Sequence, residues 1–589
     1  MEETHSTDSL RSRLAYEPVE LNFGTSGRRG EVIHLTQLEV YINALAELEY
    51  LQSLGVAEGG IVPGDPFYFA YDLRPSSSRY AEEQGGRGEI AQAVVCAIMD
   101  SGMWPVNLGC IPTPALMHYA ISRCKGSIMV TGSHIPFSRN GYKVNTASGE
   151  LLKKDESPIN ERVRRIRQSL YNQPYGESIF NEQGLFKTGH RELPPENRDA
   201  RNKYSDRYAR FFQGRSLKGK RILSYQHSAV GRDLLGDILE RLGAEVIPGG
   251  RSETFVPIDT ENIGDALLAA IQDLADRTCA EHGRLDAVVS TDGDSDRPLV
   301  IGVDPETGGV KFFGGDLVGM IAAEFLRADA VVVPISCNDA IDRGNLRGML
   351  APKTRIGSPY VIEGMQRAAE KGKRAICGWE ANGGFLTGSD IDLDGNVLTA
   401  LPTRDAVLPI LCSLFTAQER NRSLVETYAQ LPKRYSRASL IKQFPRPSSL
   451  KIVQHFSPAD ERIKDVNFQN DGVRLSDENG NELLGLTAEL QRMSGIRSEL
   501  ERLFSTEFGF SGIARLNYID GVRIIFSNED VAHVRPSGNA DELRIYAVAD
   551  TQARADEIVR AGVAEPAGIL RRMEKFVISE MTKLPRHVE

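Results

Sequence analysis

Hydrophobic positions follow two spacings along this chain, short continuous runs and helical repeats. The continuous runs predict strands at Phe67–Tyr71, Ser127–Thr131, Ala287–Ser290 and Ala330–Pro334. Their near-continuous apolar character is typical of strands that are buried on both faces of a sheet. Repeats of three and four residues predict helices at Gln37–Leu54, Leu234–Leu242 and Ile362–Lys371. Because strands and helices alternate, the pattern predicts α/β layers.

Polar stretches divide this pattern into a tail and four blocks. Residues 1–21 form a polar N-terminal tail, and the polar stretch Pro174–Arg201 separates the first block from the second. We predict domains at 22–203, 204–303, 304–415 and 416–589. The first three are predicted to be similar mixed α/β sheet domains, the second with strands at Arg221–Tyr225 and Glu245–Ile247. The fourth is less regular and is predicted to be a distinct, smaller α+β domain with strands at Val522–Phe526 and Arg544–Val548.

The composition is that of an ordinary soluble globular protein. The 589 residues are 41% hydrophobic and 25% charged, and the formal net charge is -10. This acidity argues against a nucleic-acid partner, which normally requires a basic surface. The seven cysteines are scattered without a CxxC pair, so we expect reduced thiols and a cytoplasmic location. The sequence predicts neither a secretory signal nor a membrane-spanning run.

Two glycine-containing segments carry groups that suit a phosphate. The loop Gly24–Gly30 combines glycines and hydroxyls with two arginines, although an ordinary surface loop has the same composition. The segment Thr131–Lys143 follows an apolar strand, so Ser133 lies at a strand end, where α/β sheets place their ligands. Ser133 is a candidate nucleophile or phosphoryl carrier, with His134 and Lys143 as charge partners. The absence of a GxSxG elbow argues against an esterase, whereas a serine that caps a helix stays an alternative.

Three aspartates recur at alternate positions in the segment Asp292–Arg297, directly after another apolar strand. Asp292, Asp294 and Asp296 can direct three carboxylates at one hard cation. An EF-hand loop is excluded, because its sixth position holds Arg297 rather than the required glycine. An arginine beside the aspartates indicates that an anion shares the site with the metal. A solvated acidic turn is the simpler alternative.

Two later segments supply polar groups that suit a phosphorylated sugar. Glu380 and Asn382 lie on a glycine-flanked loop, and a carboxylate with a carboxamide matches the vicinal hydroxyls of a sugar. Arg535 and Arg544 lie on either side of a glycine turn that contains Ser537, and two arginines can clamp a phosphate. An unrelated pair of surface arginines is the alternative for this last segment.

The order of these segments is more informative than any one of them. They read GTSGRRG, TGSHIPFSRNGYK, DGDSDR, a glycine-rich loop around Glu380, and RPSG. This order, from residue 22 to about residue 550, resembles the α-D-phosphohexomutase family. The resemblance implies four domains around a central active-site cleft. It also implies interconversion of a hexose 6-phosphate and a hexose 1-phosphate, most closely as in the mannose-specific members, through a phosphoserine and a hexose 1,6-bisphosphate.

The resemblance assigns roles to particular residues. Ser133 matches the phosphoserine carrier and, with Asp292, Asp294 and Asp296, the ligands of the Mg²⁺ cofactor. Arg29 and Lys143 match cations that flank the transferring phosphoryl group, beside His134. Hexose 1,6-bisphosphate is the implied activator. The implied substrate-binding residues are Arg297, Gly357, Ser358, Glu380, Asn382, Gly383, Arg535, Ser537, Gly538, Asn539 and Arg544.

The chain departs from the family pattern in four places. Ile135 stands where an asparagine is usual, and Gly384 stands where some members have a histidine proposed as general base. The general base is therefore left open. Asn539–Asp541 replaces a Thr-Glu-Pro run, which weakens the match of the phosphate loop. Tyr225–Ser228 replaces a glycine-rich run, so His227 receives no catalytic role.

The leading hypothesis is a mutase that acts on mannose phosphate, and the same chemistry on glucose phosphate is the second. A metal-dependent sugar phosphatase is a different enzymatic class that the same serine would serve. A sugar-phosphate-binding protein without turnover is a third, although the retained Ser133, aspartates and Lys143 argue against it. The expected partner is a small sugar phosphate, with no nucleic acid and no membrane. The sequence does not predict the oligomeric state.

Overall fold

The chain folds into two compact units. The computed structural model describes residues 8–261, 263–469, 472–537 and 541–583. One unit is formed within Met1–Val331 and Gly357–Tyr428, and the other within Val332–Ile356 and Ala429–Glu589. All seven cysteines are free thiols. No helix in the described ranges combines the length and the apolar character that a bilayer crossing requires.

The first sheet has five strands and carries the segment of Ser133. Its strands, in sheet order, are Arg28–Glu31, Arg139–Asn145, Ser127–Val130, Pro66–Tyr71 and Trp104–Asn107. The strand Ser127–Val130 is buried at every position, because it pairs in parallel with Pro66–Tyr71 and antiparallel with Arg139–Asn145. It ends directly before the Ser133 turn. The helices of this block are Leu10–Arg13, Gln37–Ser53, Pro75–Ser78, Ile90–Asp100, Thr113–Ile121 and Glu156–Asn172.

The second sheet also has five strands and carries the three aspartates. Its strands, in sheet order, are Val310–Phe313, Pro298–Val303, Ala287–Thr291, Arg221–His227 and Glu245–Arg251. The loop Asp292–Arg297 joins the antiparallel strands Ala287–Thr291 and Pro298–Val303. The sheet continues past Val303, because the backbone of Asp304 bonds to Gly309 and turns the chain back. The helices of this block are Asp199–Phe211, Arg232–Arg241 and Asp265–His282.

The third sheet has four strands and carries Glu380 and Asn382 on a loop. Its strands, in sheet order, are Ala330–Val332, Ile376–Trp379, Phe385–Thr387 and Leu401–Asp405. A small hairpin, Ile391–Leu393 with Asn396–Leu398, lies beside it in the sequence. The helices of this block are Gly315–Phe325, Ser358–Glu370, Val407–Glu419 and Leu424–Tyr428.

The second unit is built on one antiparallel sheet of seven strands. Its strands, in sheet order, are Tyr435–Lys442, Glu542–Ala549, Val531–Pro536, Val522–Phe526, Ile513–Asn517, Asp465–Gln469 and Gly472–Ser476. Apolar residues of this sheet form one core with the helices of the unit. The helices are Arg446–His455, Thr487–Leu503, Gln552–Val563 and Ile569–Lys583. Three mixed α/β sheets and a distinct α+β domain confirm the predicted fold class.

Most predicted elements differ from the observed ones by only one or two residues. The helix that was predicted at Ile362–Lys371 is an exception, because it begins four residues earlier, at Ser358. Gly357 has φ 131°, which is not a helical conformation, so the helix begins after it. Pro359 lies in the first turn of the helix. Proline suits a first helical turn, where its missing N–H has no partner to lose. Apolar periodicity alone does not detect such a start.

A buried ion pair holds the strand Arg28–Glu31 against its neighbours. Nε of Arg28 lies 2.7 Å from Oε1 of Glu47, and both side chains are 1% exposed. The same guanidinium donates to Oδ1 of Asn160 at 3.1 Å and lies 3.8 Å from the centre of the Phe23 ring. Burial raises the pKa of Glu47, and Arg28 opposes that shift. The pair therefore fixes the strand that also carries Arg29.

We expect the Arg28→Met variant to lose about 3–5 kcal/mol of unfolding free energy, because it leaves the Glu47 carboxylate buried without its cation. Urea denaturation measures the loss. The double variant Arg28→Met/Glu47→Leu should recover part of it. The exposed pair Arg165–Glu49 provides the control, since Arg165→Met should cost about 1 kcal/mol or less. Equal losses for Arg28→Met and Arg165→Met would contradict a structural role for the buried pair.

Candidate active site

The Ser133 hydroxyl is presented by a strained turn at the end of a buried strand. Ser133 has φ 54°, in the left-handed region that few residues other than glycine adopt. Its N–H donates to Oγ1 of Thr131 at 2.7 Å, which holds the turn. Its own Oγ donates to Oδ2 of Asp292 at 2.7 Å, and the residue is fully buried. The turn therefore aims the hydroxyl at the aspartate loop of the second sheet.

The loop Asp292–Arg297 gathers three carboxylates around one point. One oxygen from each of Asp292, Asp294 and Asp296 lies within 4.8 Å of the others, and all three residues are buried. Oδ1 of Asp292 accepts the backbone N–H groups of Asp296 at 3.1 Å and Arg297 at 3.2 Å, so the loop folds around this side chain.

In two of the aspartates, one oxygen is held by the protein and the other has no hydrogen-bond partner among the described residues. Oδ2 of Asp294 accepts from Thr113 at 2.6 Å and from Nζ of Lys143 at 2.7 Å. Oδ2 of Asp296 accepts from Lys143 at 2.8 Å and from Nε of Arg404 at 3.0 Å. Oδ1 of both aspartates is buried without a hydrogen bond to any described residue. With Oδ2 of Asp292, these oxygens fit a hard divalent cation, which prefers oxygen ligands.

Burial and neighbouring charges shift the ionisation of these groups. Burial raises the pKa of Asp292 well above its usual range, and Asp294 and Asp296 add to the shift. Burial also lowers the pKa of Arg29 to about 10, and Arg297 acts in the same direction. These shifts show how crowded the site is with charges of both signs.

His134 adjoins the Ser133 hydroxyl as a neutral imidazole. Its Nδ1 lies 3.3 Å from Oγ of Ser133. Burial lowers the pKa of His134 well below its usual range, and the cations Arg297 and Arg29 lower it further. A neutral ring can accept or donate a hydrogen bond here, according to its tautomer.

The loop that carries Glu380 and Asn382 is fixed by its own backbone and by neighbours. Oδ1 of Asn382 accepts the N–H of Gly384 at 2.9 Å, and the N–H of Gly383 donates to the Glu380 carbonyl at 2.9 Å. Gly383 has φ 86°, so the turn favours glycine at this position. Oε2 of Glu380 accepts from Nη1 of Arg404 at 3.0 Å. Both side chains are thus held in place inside the first unit.

Gly357 and Ser358 begin a helix in the same unit. A Cβ added at Gly357 would lie 2.9 Å from Cγ2 of Thr25, so the helix start lies against the Gly24–Gly30 loop. Oγ of Ser358 donates to Oε2 of Glu150 at 2.6 Å. No local pattern around Glu150 predicted this contact.

The predicted phosphate clamp lies in the second unit. Arg535 and Arg544 are direct partners on the neighbouring strands Val531–Pro536 and Glu542–Ala549. Nε of Arg535 lies 3.5 Å from Oδ1 of Asp520, and Arg544 lies 2.9 Å from Glu542. Gly538 and Asn539 lie outside the described residues. The backbone N–H of Ser537 donates to the Glu542 carbonyl at 3.0 Å.

Comparison with known proteins identifies the family. Models described as phosphoglucomutase/phosphomannomutase α/β/α domain I, α/β/α domain III and C-terminal domain match residues 20–170, 314–435 and 460–564. The phosphomannomutase of Salmonella muenchen is 36% identical over 543 residues, which cover 92% of this chain and 94% of that protein. The chain belongs to the phosphoglucomutase/phosphomannomutase family.

Two further proteins agree with this membership. The phosphomannomutase of Sinorhizobium fredii (strain NBRC 101917 / NGR234) is 34% identical over 545 residues, which cover 92% of this chain and 98% of that protein. The crystal structure of a phosphoglucomutase/phosphomannomutase family protein from Burkholderia thailandensis shares the fold. Its TM-score is 0.62 at 16% identity, over 95% of this chain and 98% of that one. Members of this phosphohexomutase family are isomerases, so the chain is an enzyme of that class.

The structure describes the surroundings of two departures from the family pattern in this phosphohexomutase, at His227 and at Gly384. Nε2 of His227 donates to the Thr291 carbonyl at 2.8 Å, and burial lowers the pKa of His227 to about 4. It is a packing residue of the second sheet. Gly384 has no side chain, and the stem of Arg404 fills the adjacent space.

Arg74 of this phosphohexomutase is a site residue that sequence reasoning missed. Its guanidinium donates to four carbonyls, those of Ser133 at 2.9 Å, Ile135 at 2.5 Å, and Pro136 and Arg139 at 3.0 Å each. The side chain is almost fully buried. One residue therefore sets the path of the whole loop that presents the hydroxyl. Its position just after the apolar strand Pro66–Tyr71 is the signal that could have found it.

We expect Arg74→Met to lower kcat about 10–100-fold, because a displaced loop misplaces the reacting hydroxyl. Amide hydrogen exchange in residues 131–141 should rise in the same variant. The exposed Arg79, five residues along, is the matched control, and Arg79→Met should change neither quantity. Unchanged exchange together with unchanged kcat in Arg74→Met would refute the role.

Proposed function

We propose that this phosphohexomutase interconverts mannose 6-phosphate and mannose 1-phosphate through a phosphorylated Ser133. The observation that carries the proposal is the 2.7 Å bond from Oγ of Ser133 to Asp292, inside the three-carboxylate loop. A hydroxyl beside a hard-cation site and several cations is suited to carry a phosphoryl group. The names of the two curated relatives favour mannose over glucose.

The reaction consists of two balanced phosphoryl transfers. In the first, a sugar hydroxyl attacks the phosphorus on Ser133, the Oγ–P bond breaks, and mannose 1,6-bisphosphate forms. The sugar hydroxyl loses one proton and Ser133 Oγ gains one. In the second, Ser133 Oγ loses its proton and attacks the other phosphorus of the bisphosphate, the bond from that phosphorus to the sugar oxygen breaks, and the sugar oxygen gains a proton. The same bisphosphate, added from outside, phosphorylates an enzyme that has lost its phosphate and so acts as activator.

The residues around Ser133 stabilise the charge that moves between the two oxygens. Ser133, Asp292, Asp294 and Asp296 would hold Mg²⁺, which when bound neutralises charge on the phosphoryl oxygens. Lys143 lies within 2.8 Å of two of the aspartates and supplies a fixed cation beside them. We assign Arg29 and Arg297 the same purpose, because both interact electrostatically with the aspartates. His134 lies beside the Ser133 hydroxyl and supplies a hydrogen-bonding ring nitrogen there.

The remaining residues bind the parts of the substrate that do not react. We assign Glu380, Asn382 and Gly383 to the sugar hydroxyls, and Gly357 and Ser358 to the neighbouring face of the ligand. Arg535, Ser537 and Arg544 suit the non-reacting phosphate, because the two arginines are register partners on neighbouring strands and guanidinium groups can bind phosphate oxygens in pairs. Gly538 and Asn539 belong to the same proposed loop.

We expect Ser133→Ala to abolish turnover, because the hydroxyl that carries the phosphoryl group is gone. Intact-mass spectrometry of active wild-type enzyme should show one phosphate, mapped to Ser133. The wild type should also isomerise mannose 1-phosphate much faster than it releases inorganic phosphate, and faster than it isomerises glucose 1-phosphate. If phosphate is released as fast as sugar is isomerised, the enzyme is a phosphatase and the mutase proposal fails.

We expect EDTA to remove activity and Mg²⁺ to restore it, because the centre offers only hard oxygen ligands. Asp294→Asn should lower kcat about 100-fold or more. The exposed Asp273 lies on the helix Asp265–His282, outside the loop, and Asp273→Asn is the charge-matched control. Full activity in excess EDTA would exclude a metal-dependent mechanism at this loop.

A further inference from the structure

One guanidinium joins the aspartate loop to the sugar-binding loop. Nε and Nη2 of Arg404 lie 3.0 and 2.9 Å from Oδ2 of Asp296, and Nη1 lies 3.0 Å from Oε2 of Glu380. Its side chain is 3% exposed, and both carboxylates are equally buried. Each would be costly to bury without a cation. Arg404 thus compensates two negative charges that belong to different functional groups of the site.

The stem of Arg404 occupies the space beside Gly384. A Cβ built on Gly384 would lie 2.4 Å from Cδ of Arg404 and 2.6 Å from its Cγ. Real Cβ atoms do not approach other carbon atoms so closely. The backbone of Gly384 is outside the left-handed region, so the arginine, and not the backbone conformation, excludes a side chain there. Glycine at 384 and arginine at 404 therefore require each other.

The shape of the guanidinium explains why arginine is needed. Its planar fork directs three N–H groups to two carboxylates at once, which a lysine ammonium on a flexible stem does not reproduce. By bonding to Oδ2 of Asp296, Arg404 leaves Oδ1 of that residue without a hydrogen bond to the described part of the chain. By bonding to Oε2 of Glu380, it fixes the rotamer of the carboxylate that is assigned to the sugar hydroxyls.

We propose that Arg404 is a positioning residue that couples the aspartate loop to sugar recognition, and that Gly384 is the space that permits it. The proposal rests on the proposed function, because it gives Glu380 its role in reading hydroxyl groups. Because glycine has no side chain, position 384 contributes no group to proton transfer in this site. Sugar selectivity then depends on a residue that does not contact the sugar.

The test is a double-mutant cycle between the two positions. Gly384→Ala should lower kcat/KM for mannose 1-phosphate about 10–100-fold, because it displaces the guanidinium by an ångström or more. In the Arg404→Ala background the same change should cost less than about threefold, because nothing remains to be displaced. The control is Gly176→Ala, at an exposed glycine with open space around it. This variant should leave kcat/KM unchanged in both backgrounds. Equal costs of Gly384→Ala in both backgrounds would overturn the proposal.

A second measurement separates positioning from a general loss of structure. The ratio of kcat/KM for mannose 1-phosphate to that for its 3-deoxy and 4-deoxy analogues reports how well hydroxyl groups are read. This ratio should fall about tenfold in Gly384→Ala and in Arg404→Lys, because a displaced Glu380 no longer penalises a missing hydroxyl. A purely structural defect lowers all rates together and leaves the ratio unchanged, which would also overturn the proposal.

Failure of this inference can be distinguished from failure of the proposed function. Failure of the wild type to isomerise either sugar or to carry phosphate on Ser133 would refute the function, not the geometry. A crystal structure of Gly384→Ala tests the geometry alone, and the distance from Nη1 of Arg404 to Glu380 should exceed hydrogen-bonding range. An unmoved Arg404 in that structure would contradict the proposed coupling even if the mutase reaction is established.

Discussion

Three carboxylates that lie within 4.8 Å of one another can share a buried loop only where cations surround them, because each repels the others. In this enzyme the cations come from separate parts of the chain. Lys143 belongs to the first sheet, Arg404 to the third, and Arg297 to the loop itself. Neutralisation of the negative charge on this loop therefore brings three sheets of the first unit to one place. The same ion pairs thus contribute both to the site and to the contacts between the three sheets.

The sheets deliver these groups through one repeated device, a polar loop placed directly after a buried strand. Ser133 follows Ser127–Val130, the aspartates follow Ala287–Thr291, and Glu380 follows Ile376–Trp379. Each strand is buried at every position, so its end is fixed before the loop begins. Loops anchored in this way can hold strained or highly charged conformations that a free surface loop would relax.

Sequence reasoning found the residues that lie in short, recognisable local motifs. Ser133 and the three aspartates follow apolar runs and stand in short motifs, so their positions were predictable, and the sheets place them together. Arg404 was missed, because its partners are distant carboxylates that no local pattern reveals. Arg74 was missed although it follows an apolar strand, because the carbonyls that it binds lie on a different loop. The start of the helix at Ser358 was missed for a different reason, since Gly357 and Pro359 define it without apolar periodicity. Long-range electrostatic partnership is what the sequence pattern could not express.

The left-handed backbone of Ser133 limits which hydroxyl amino acid this position can hold. Threonine offers the same chemistry, but a β-branched residue at positive φ is a conformational outlier. The Ser133 N–H donates to Thr131, and Arg74 donates to the Ser133 carbonyl. These two hydrogen bonds keep the backbone from relaxing toward an extended form. Many phosphorylation sites tolerate either serine or threonine, but threonine is therefore not expected to replace serine at this position. Stereochemistry of the main chain, and not reactivity of the hydroxyl, favours serine over threonine at this position.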